Sequence, residues 1–435
     1  MKRNKILIVN WGTQSSDYAF SIAKKKNLEL FLATGENYPD WIKRYVEYDH
    51  IITTNTYDSE RLIIDTLVFI EKRGVNFDAI TTFFEMNVIQ TADLAYALGF
   101  KFLLPSVARR TSGNKLLMKL YCMHNHINIP KFGYFSTPAK GYRELKKVGV
   151  PAILKPVKSG HSYGISYIKT LNKPNFLSVL NKSKDQIKAS IDEWMNYYNL
   201  YKNDFLIEQY IKGDVVSVDG LVQQNKIIFW GITKFEMSPL PHFIQESVTI
   251  PADYNTKTKN LCFREAKKII KVLELDNCAF HSEYKLTKKG PVLLEIAARP
   301  PGGNMTLAYK NAYKVDMIDM YLDICLGKKV KVPKISKNNV IIHKSVFDYN
   351  WGEVTDISGL MELKKKKYFK LYWHVKKGST IFPKYDLPSS LVYYQITADN
   401  HEEAKKFQDE VNRTFKYTLR KTPKAIYAKL RGIKT

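Results

Sequence analysis

The first hundred residues alternate short apolar runs with helical segments, and this alternation limits the fold more than any other feature. Strands are predicted at residues 5–10 (KILIVN) and within LELFLAT, HIITTN and FDAITTFFE, and helices at YAFSIAKKK, SERLIIDTLVFIEKRG and VIQTADLAYALGF. Strands that alternate with helices pair in parallel, with the helices on the faces of the sheet. No Gly-x-Gly-x-x-Gly follows the first strand, so the pattern does not itself indicate a dinucleotide.

The pattern changes near residue 112. A helix is predicted in SGNKLLMKLYCMHNHINIP, from a Ser/Asn cap to Pro130. Long β-type runs with hairpin signals follow over 150–299, and short strands with a helix from His401 to Phe415 come after residue 330. We therefore predict α/β and α+β architecture in three domains: a Rossmann-like parallel sheet at 1–112, a second domain at 113–330, and a smaller, basic α+β domain at 331–435.

Composition places the chain among globular proteins, since 45% of its 435 residues are hydrophobic. The four cysteines show no C-x-x-C spacing, which predicts reduced thiols and a cytoplasmic location. The start, MKRNKILIVNWG, has too few apolar residues for a signal peptide and is better read as a strand. No apolar stretch approaches the roughly 18 residues of a membrane span.

The formal net charge is +26. Such a charge suits nucleic acid, an anionic membrane or acidic soluble partners, and a generally lysine-rich surface is the alternative. Residues 331–435 carry 22 Lys and Arg against 10 Asp and Glu, a net of +12. No acidic residue follows Glu410, whereas Arg420, Lys421 and Lys424 lie in that segment.

A hairpin is predicted in AFHSEYKLTKKGPVLLEIAAR, residues 279–299. With a three-residue loop at Lys288–Gly290, Thr287 pairs with Pro291 and Glu283 lies opposite Glu295. Like charges that face each other destabilise a sheet, so this pairing favours a bound cation. Carboxylate oxygens indicate Mg²⁺, with phosphate and water as its other ligands. A register slip of one residue would instead put the two side chains on opposite faces.

A lysine lies in a strand-like run beside a glycine-rich loop, in PAILKPVKSGHSYGISYIKT at 151–170. Lys155 would have an ammonium among apolar neighbours unless it met an anion. No helix follows the loop, which excludes the usual P-loop, whereas a strand lysine beside a glycine-rich loop is how protein kinases hold nucleotide phosphates. An edge-strand lysine that points to water is the alternative.

A hinge is predicted at FLIEQYIKGD, residues 205–214. Glu208 ends an apolar run and Gly213 marks a bend, so the strand leaves one subdomain for another. The backbone groups of such a hinge could bind the edge of an adenine, although an ordinary strand end has the same pattern.

Together and in this order, these elements resemble the ATP-grasp superfamily over about residues 1–330, and within it the carboxylate–amine ligases that join amino acids. The resemblance implies a two-subdomain ATP site with a mobile lid at about 130–212. It assigns five features of the site: two lysines that bind phosphate, a loop that covers the phosphates, a hinge that binds adenine, a carboxylate near the ribose, and two carboxylates that bind metal. The matching residues are Lys115 and Lys155; Ser159, Gly160, His161, Ser162 and Gly164; Glu208, Tyr210, Ile211 and Asp214; and Glu283 and Glu295.

One position departs from the commoner pattern. The superfamily usually ends in E-x-N-x-R, whose Asn also binds metal, whereas this chain has Glu295-Ile-Ala297-Ala-Arg299. The E-I-A-A-R-P-x-G form resembles the amino-acid-ligase branch. Arg299 is retained, and a guanidinium suits a carboxylate or a phosphoryl group in transfer. We expect it and Lys155 to act in catalysis.

The resemblance implies ATP and Mg²⁺, with Mn²⁺ as a substitute, and a reaction that joins a carboxylate to an amine with release of ADP and phosphate. Amino acids are the expected small-molecule substrates, and the resemblance is compatible with a homodimer. His242 and Glu246 in PLPHFIQES, with Gly302 and Gly303, are expected near the substrate, although an unremarkable polar loop at 236–250 is the alternative.

Three other functions stay open. The activated carboxylate could be captured by the thiol of an acidic acyl carrier protein. A binding module without catalysis is disfavoured because both lysines, both carboxylates and the arginine are retained. A basic nucleic-acid-binding protein on a degenerate scaffold would need aromatic residues among the basic ones, and YFKLYWHVKK at 368–377 has some.

Overall fold

The structure is a computed structural model. It describes residues 3–158, 164–199, 203–335, 338–381 and 389–423. These residues form four sheets with helices packed against them, in the mixed α/β and α+β architecture that the sequence predicts. Among them, no helix is both long enough and apolar enough to cross a membrane.

The N-terminal sheet is parallel, in the order β3-β2-β1-β4, which confirms the prediction from the alternating pattern. The strands are β1 Lys5–Val9, β2 Glu29–Thr34, β3 Ile51–Thr53 and β4 Ala79–Thr81. The helices are α1 Asp17–Lys25, α2 Ser59–Arg73, α3 Val88–Ala97 and α4 Pro105–Thr111. Alternate side chains of β1 are buried on opposite faces: Ile6 packs in one core cluster with Phe20 of α1, and Leu7 packs in another with Leu62 of α2.

The next helix, α5, spans Lys115–His124 and begins at Asn114, whose side chain accepts a hydrogen bond from the Leu117 amide. It ends six residues before Pro130, so the predicted end is wrong. The left-handed conformation of His126 (φ 52°) stops the helix, and the Ile127 amide bonds back to the Cys122 carbonyl.

A small antiparallel sheet follows, in the order β5-β8-β6-β7. Its elements are β5 Phe132–Phe135, α6 Pro138–Val148, β6 Ala152–Pro156, β7 Ser166–Ile168, α7 Lys173–Asn199 and β8 Phe205–Gln209. Phe135 and Phe205 stack with ring centroids 5.7 Å apart, in a core separate from that of the large sheet.

The large sheet is antiparallel, in the order β13-β12-β9-β10-β11-β14-β18-β16. Its first strands are β9 Asp214–Gln223, β10 Lys226–Met237, β11 Gln245–Ile250, β12 Cys278–Thr287 and β13 Gly290–Ala297. Helices α8 Thr256–Val272, α9 Met305–Tyr313 and α10 Met317–Cys325 accompany them. The four cysteines are buried and free.

The last quarter of the chain extends this same sheet. It contributes β14 Val340–Asp348, β15 Gly352–Ser358, α11 Leu360–Leu363, β16 Phe369–His374, β17 Thr380–Ile381, β18 Ser389–Ala398, α12 His401–Thr414 and β19 Lys416–Lys421. Strand β14 pairs with β11, so the sheet continues across the boundary predicted at residue 330. The domain boundaries themselves remain predictions. Strands β17, β15 and β19 form a separate small sheet.

Candidate active site

A cavity of about 920 Å³ lies over the large sheet. Its lining joins the start of α5, the middle of β12, the end of β13, the loop after β13, and strands β11, β14, β16 and β18. Seven of the residues predicted for the site line this cavity: Lys115, Glu246, Glu283, Glu295, Arg299, Gly302 and Gly303.

The two predicted metal carboxylates face each other across β12 and β13. Glu283 is the register partner of Glu295, as predicted, but the turn is different: Thr287 pairs with Gly290, so the loop has two residues, not three. A bulge next to Glu283 adds the missing residue to β13 and restores the pairing. The pairing prediction is confirmed and the predicted turn is wrong.

A histidine lies between Glu283 and the buried carboxylate of Asp219 on the neighbouring strand. His281 Nε2 is 3.0 Å from Glu283 Oε1, and its Nδ1 bonds to the buried carboxylate of Asp219. Burial alone would lower the pKa of His281, but the two carboxylates outweigh it and raise the pKa to about 10. Asp219 also accepts a hydrogen bond from the Tyr309 hydroxyl at 2.6 Å. Glu283 therefore has a fixed cationic neighbour.

The other carboxylate and the arginine also have partners. Lys115 Nζ lies 3.2 Å from Glu295 Oε1, and the lysine is only 5% exposed. Arg299 Nε lies 2.6 Å from Glu85 Oε2, while Glu85 Oε1 accepts a hydrogen bond from the Gly113 amide at 3.2 Å. The N-terminal part of the chain thus orients the arginine at the cavity.

Lys155 takes part in a buried charge cluster. Its Nζ lies 2.7 Å from Glu208 Oε1, and the same oxygen lies 3.0 Å from Lys119 Nζ. The ammonium in the strand therefore meets an anion, which excludes the edge-strand lysine that points to water. Burial disfavours ionised Glu208, but the two lysines outweigh it and keep its pKa below the usual value. Burial lowers the pKa of Lys119 to about 8, despite Glu208. With both lysines protonated, the cluster carries a net positive charge.

The predicted hinge follows β8. The Tyr210 amide donates to the Pro151 carbonyl at 3.1 Å, and Ile211 is half-buried. The carboxylate of Asp214 is exposed and accepts a hydrogen bond from Tyr254 at 2.7 Å. Gly213 is required at the bend, since a Cβ there would lie 2.2 Å from the Leu286 carbonyl oxygen.

The predicted phosphate loop is only partly described. Ser159, Gly160, His161 and Ser162 lie outside the described residues. Gly164, where the description resumes, has φ +74°, and its carbonyl accepts a hydrogen bond from the Ser183 hydroxyl at 2.5 Å. The roles of these five loop residues in phosphate binding remain predictions.

The two polar residues predicted near the substrate differ in position. Glu246 lines the cavity, and burial raises its pKa. His242 is not among the described residues that line it, and its ring lies 4.5 Å from that of Tyr349. Of the aromatic residues in 368–377, Tyr372 and Trp373 line the cavity, and Tyr368 stacks on Phe407 with ring centroids 3.9 Å apart.

Several site residues escaped the sequence reasoning. His281 was open to prediction, because it precedes Glu283 by two residues and a strand places such residues on one face. Lys119 follows Lys115 by one helical turn, which gave the same kind of signal. Glu85, Asp219 and the aromatic residues of β16 and β18 reach the site through tertiary contacts, for which the sequence carries no local signal.

The residues present fit a divalent cation. Glu283 and Glu295 offer hard oxygen donors on one face of a hairpin, with side chains 35% and 31% exposed toward the cavity. Two carboxylates plus water and phosphate are a usual ligand set for Mg²⁺. Ala297, which also lines the cavity, supplies no side-chain ligand.

Residues 148–307 match the model of the ATP-grasp domain. The chain is 27% identical over 205 residues to the alanine–anticapsin ligase of Bacillus subtilis, a match over 44% of this chain and 42% of that protein. The chain thus spans somewhat under half the length of that relative. The chain is also 19% identical over 344 residues to human carnosine synthase 1, covering 77% of this chain and 41% of that protein.

Among solved structures, the L-amino acid ligase from Bacillus licheniformis superposes with a TM-score of 0.79 at 20% identity, over 97% of this chain and 100% of that chain. At this identity the likeness shows the fold alone, which is that of ATP-grasp ligases. The family match and the shared fold confirm the resemblance inferred from the motifs. Residues 148–307 are similar to the ATP-grasp domain, and the chain is similar to the carboxylate–amine ligases of that superfamily.

Proposed function

We propose that the protein is an ATP-dependent ligase that activates a carboxylate, most simply that of an amino acid, as an acyl phosphate and joins it to an amine. The observation that carries this proposal is one cavity lined by Lys115, Glu283, Glu295 and Arg299. Phosphoryl transfer needs two kinds of side chain, cations and carboxylates that can bind a metal, and both kinds line this cavity.

The nucleotide would lie between the small and large sheets. Lys155 and the 159–164 loop would hold its phosphates, Tyr210 and Ile211 its adenine, and Asp214 its ribose. Glu283 and Glu295 would hold Mg²⁺ or Mn²⁺, which when bound neutralises phosphate charge.

The reaction has two steps. The substrate carboxylate attacks the γ-phosphorus, the bond to the β-phosphate oxygen breaks, and ADP leaves. Lys115, Lys155 and Arg299 offset the charge that develops on the transferring group. An amine then attacks the acyl carbon, phosphate leaves, and the amine proton passes to solvent, so that one amide forms for each ATP used.

The test is a screen for ADP release with amino acids, singly and in pairs, followed by phosphorus NMR of the product mixture. ADP and phosphate are the expected products. Pyrophosphate with AMP would rule out attack at the γ-phosphate.

A second candidate replaces the amine by the thiol of an acyl carrier protein. The observation in its favour is the net charge of +12 over residues 331–435, since one-sided charge speeds association with acidic partners. Lys421 is exposed on β19, whereas Arg420 pairs with Glu353 and Lys424 lies outside the described residues. Adding a carrier protein to the ADP-release screen tests this candidate.

A further inference from the structure

One end of the cavity is built by strands from the last quarter of the chain. We call it the aromatic lobe, defined by six lining residues on β14, β16 and β18: His343, Ser345, Tyr372, Trp373, Ser390 and Tyr393. The predicted metal carboxylates belong to β12 and β13, and the predicted phosphate lysines belong to α5 and β6. The lobe therefore provides a surface that the activation step does not use.

The rings of the aromatic lobe are held in place by the sheet. Trp373 is the register partner of Tyr393, and a bulge puts Tyr372 beside this pair. The Tyr372 and Tyr393 rings stack with centroids 5.2 Å apart. The Tyr372 hydroxyl donates to Gln395 Oε1 at 2.9 Å, and the Tyr393 hydroxyl lies 3.0 Å from His343 Nδ1. A surface fixed in this way is ready to bind without rearrangement.

Trp373 has the solvent-accessible ring of the aromatic lobe. It is 48% exposed although it lines a cavity. Tyr372 is less open, because Lys370 Nζ lies 4.9 Å from its ring centroid. An indole left accessible within a pocket is a suitable contact for a flat apolar or aromatic group, since offset and edge-on ring pairs add to the free energy of burial.

The charges along the cavity differ from end to end. Where the carboxylate would be activated, Lys115 and Arg299 line the cavity together with Glu283 and Glu295, so cations and carboxylates are mixed there. On β11, next to the lobe, the charged lining residue is the carboxylate of Glu246. Glu246 occupies a bulge, since Glu236 pairs with Ser247 and Met237 with Gln245. Within the lobe, burial lowers the pKa of His343 to about 4, so its imidazole is neutral at pH 7.

We propose that the aromatic lobe and Glu246 bind the amine substrate, and that this substrate is an amino compound with an aromatic side chain. Its ring would lie against Trp373, and its amino group would approach Glu246 on the side toward the activated carboxylate. This inference rests on the proposed ligase function and deepens it by naming the chemical class of the amine.

The experiment separates the two halves of the reaction. Each of the twenty common L-amino acids is first offered as the carboxylate with hydroxylamine, a small amine that traps an acyl phosphate as a hydroxamate. The best carboxylate is then offered L-phenylalaninamide or L-alaninamide, whose blocked carboxyl groups allow them to act only as amines. We expect kcat/KM for the phenylalanine amide to exceed that for the alanine amide at least tenfold.

The variants test the lobe. Trp373→Ala should lower the ratio of phenylalaninamide coupling to hydroxamate formation at least tenfold, and Trp373→Phe, which keeps a ring, should hold it within about threefold of the wild type. Glu246→Gln should raise KM for both amides. Tyr48→Ala, which removes an aromatic residue 87% exposed and outside the lining of the cavity, is the matched control and should change neither value.

Two results would overturn the inference while leaving the ligase function standing. One is hydroxamate formation with no preference for the aromatic amide. The other is an equal loss of coupling and hydroxamate formation in Trp373→Ala, since the lobe would then serve the fold or the carboxylate. If no amino acid gave ADP or hydroxamate, the ligase function and this inference would both fail.

Discussion

Lys119 is fully buried, and replacing it by methionine should weaken nucleotide binding more than it weakens the fold. Lys155 and Lys119 share one oxygen of Glu208, at 2.7 and 3.0 Å. If Lys155 turns toward a phosphate when nucleotide binds, Lys119 becomes the cation that keeps the Glu208 carboxylate paired. In the Lys119→Met variant, binding would leave that carboxylate buried and alone.

The magnitude follows from the geometry. At an effective dielectric of about 20, a unit charge pair at this separation interacts by about 5 kcal/mol, and part of this is offset by the cost of burying the ions. Because Lys155 stays nearby, we expect a loss of about 2–3 kcal/mol, or roughly a 30- to 150-fold rise in Kd. The nucleotide-free fold should change little, since methionine fills a similar volume and removes a buried ammonium.

Calorimetric titration with ADP and Mg²⁺ measures the affinity, and thermal unfolding without nucleotide measures the fold. Lys119→Arg, which keeps the charge, serves as the matched variant and should bind more tightly than Lys119→Met. A Kd for Lys119→Met within threefold of the wild-type value would refute this reasoning. A large fall in the unfolding temperature without nucleotide would instead show that Lys119 acts in the fold.

Three further predictions concern other parts of the molecule. Glu295→Gln and Glu283→Gln should each reduce turnover at least 100-fold and weaken Mn²⁺ binding followed by electron paramagnetic resonance, with unchanged circular dichroism; near-normal rates at saturating Mg²⁺ would contradict their metal role. Gly213→Ala should lower the unfolding temperature by several degrees, because its Cβ would clash with a backbone carbonyl, and an unchanged melting curve would count against that geometry. Arg420→Gln with Lys421→Gln should slow association with a carrier substrate and spare free amino acids, and equal losses on both would indicate a structural role.

The sequence predicted best those features that repeat over short distances. The parallel N-terminal sheet follows from alternating strands and helices, and the facing pair Glu283–Glu295 follows from the period of a hairpin. The predicted turn between them was wrong. The loop is one residue shorter than predicted, a bulge compensates for the difference, and a bulge has no reliable sequence signature.

The charge partners of the site were harder to predict. Glu85 lies in the N-terminal part of the chain and reaches Arg299 only through the packing of that part against the loop after β13. The aromatic lobe depends on the pairing of β11 with β14, two strands separated by about ninety residues of chain. A single sequence carries no record of such pairings, so the predicted substrate residues were restricted to nearby loops.

The continuous large sheet bears on how the proposed ligase could change during evolution. The strands that would activate the carboxylate and the strands that would select the amine are encoded in successive parts of the gene, yet they share one hydrogen-bonded surface. A recombination event that exchanged the last quarter of the chain could introduce a new amine preference in one step. It would succeed only where the incoming β14 kept its register with β11, from Ser247–Lys344 to Ile250–Ile341. Inheritance of amine choice would therefore be modular in sequence but constrained by the pairing of β11 with β14 and by other contacts with the earlier part of the chain, such as the hydrogen bond from Asn311 to Gln395.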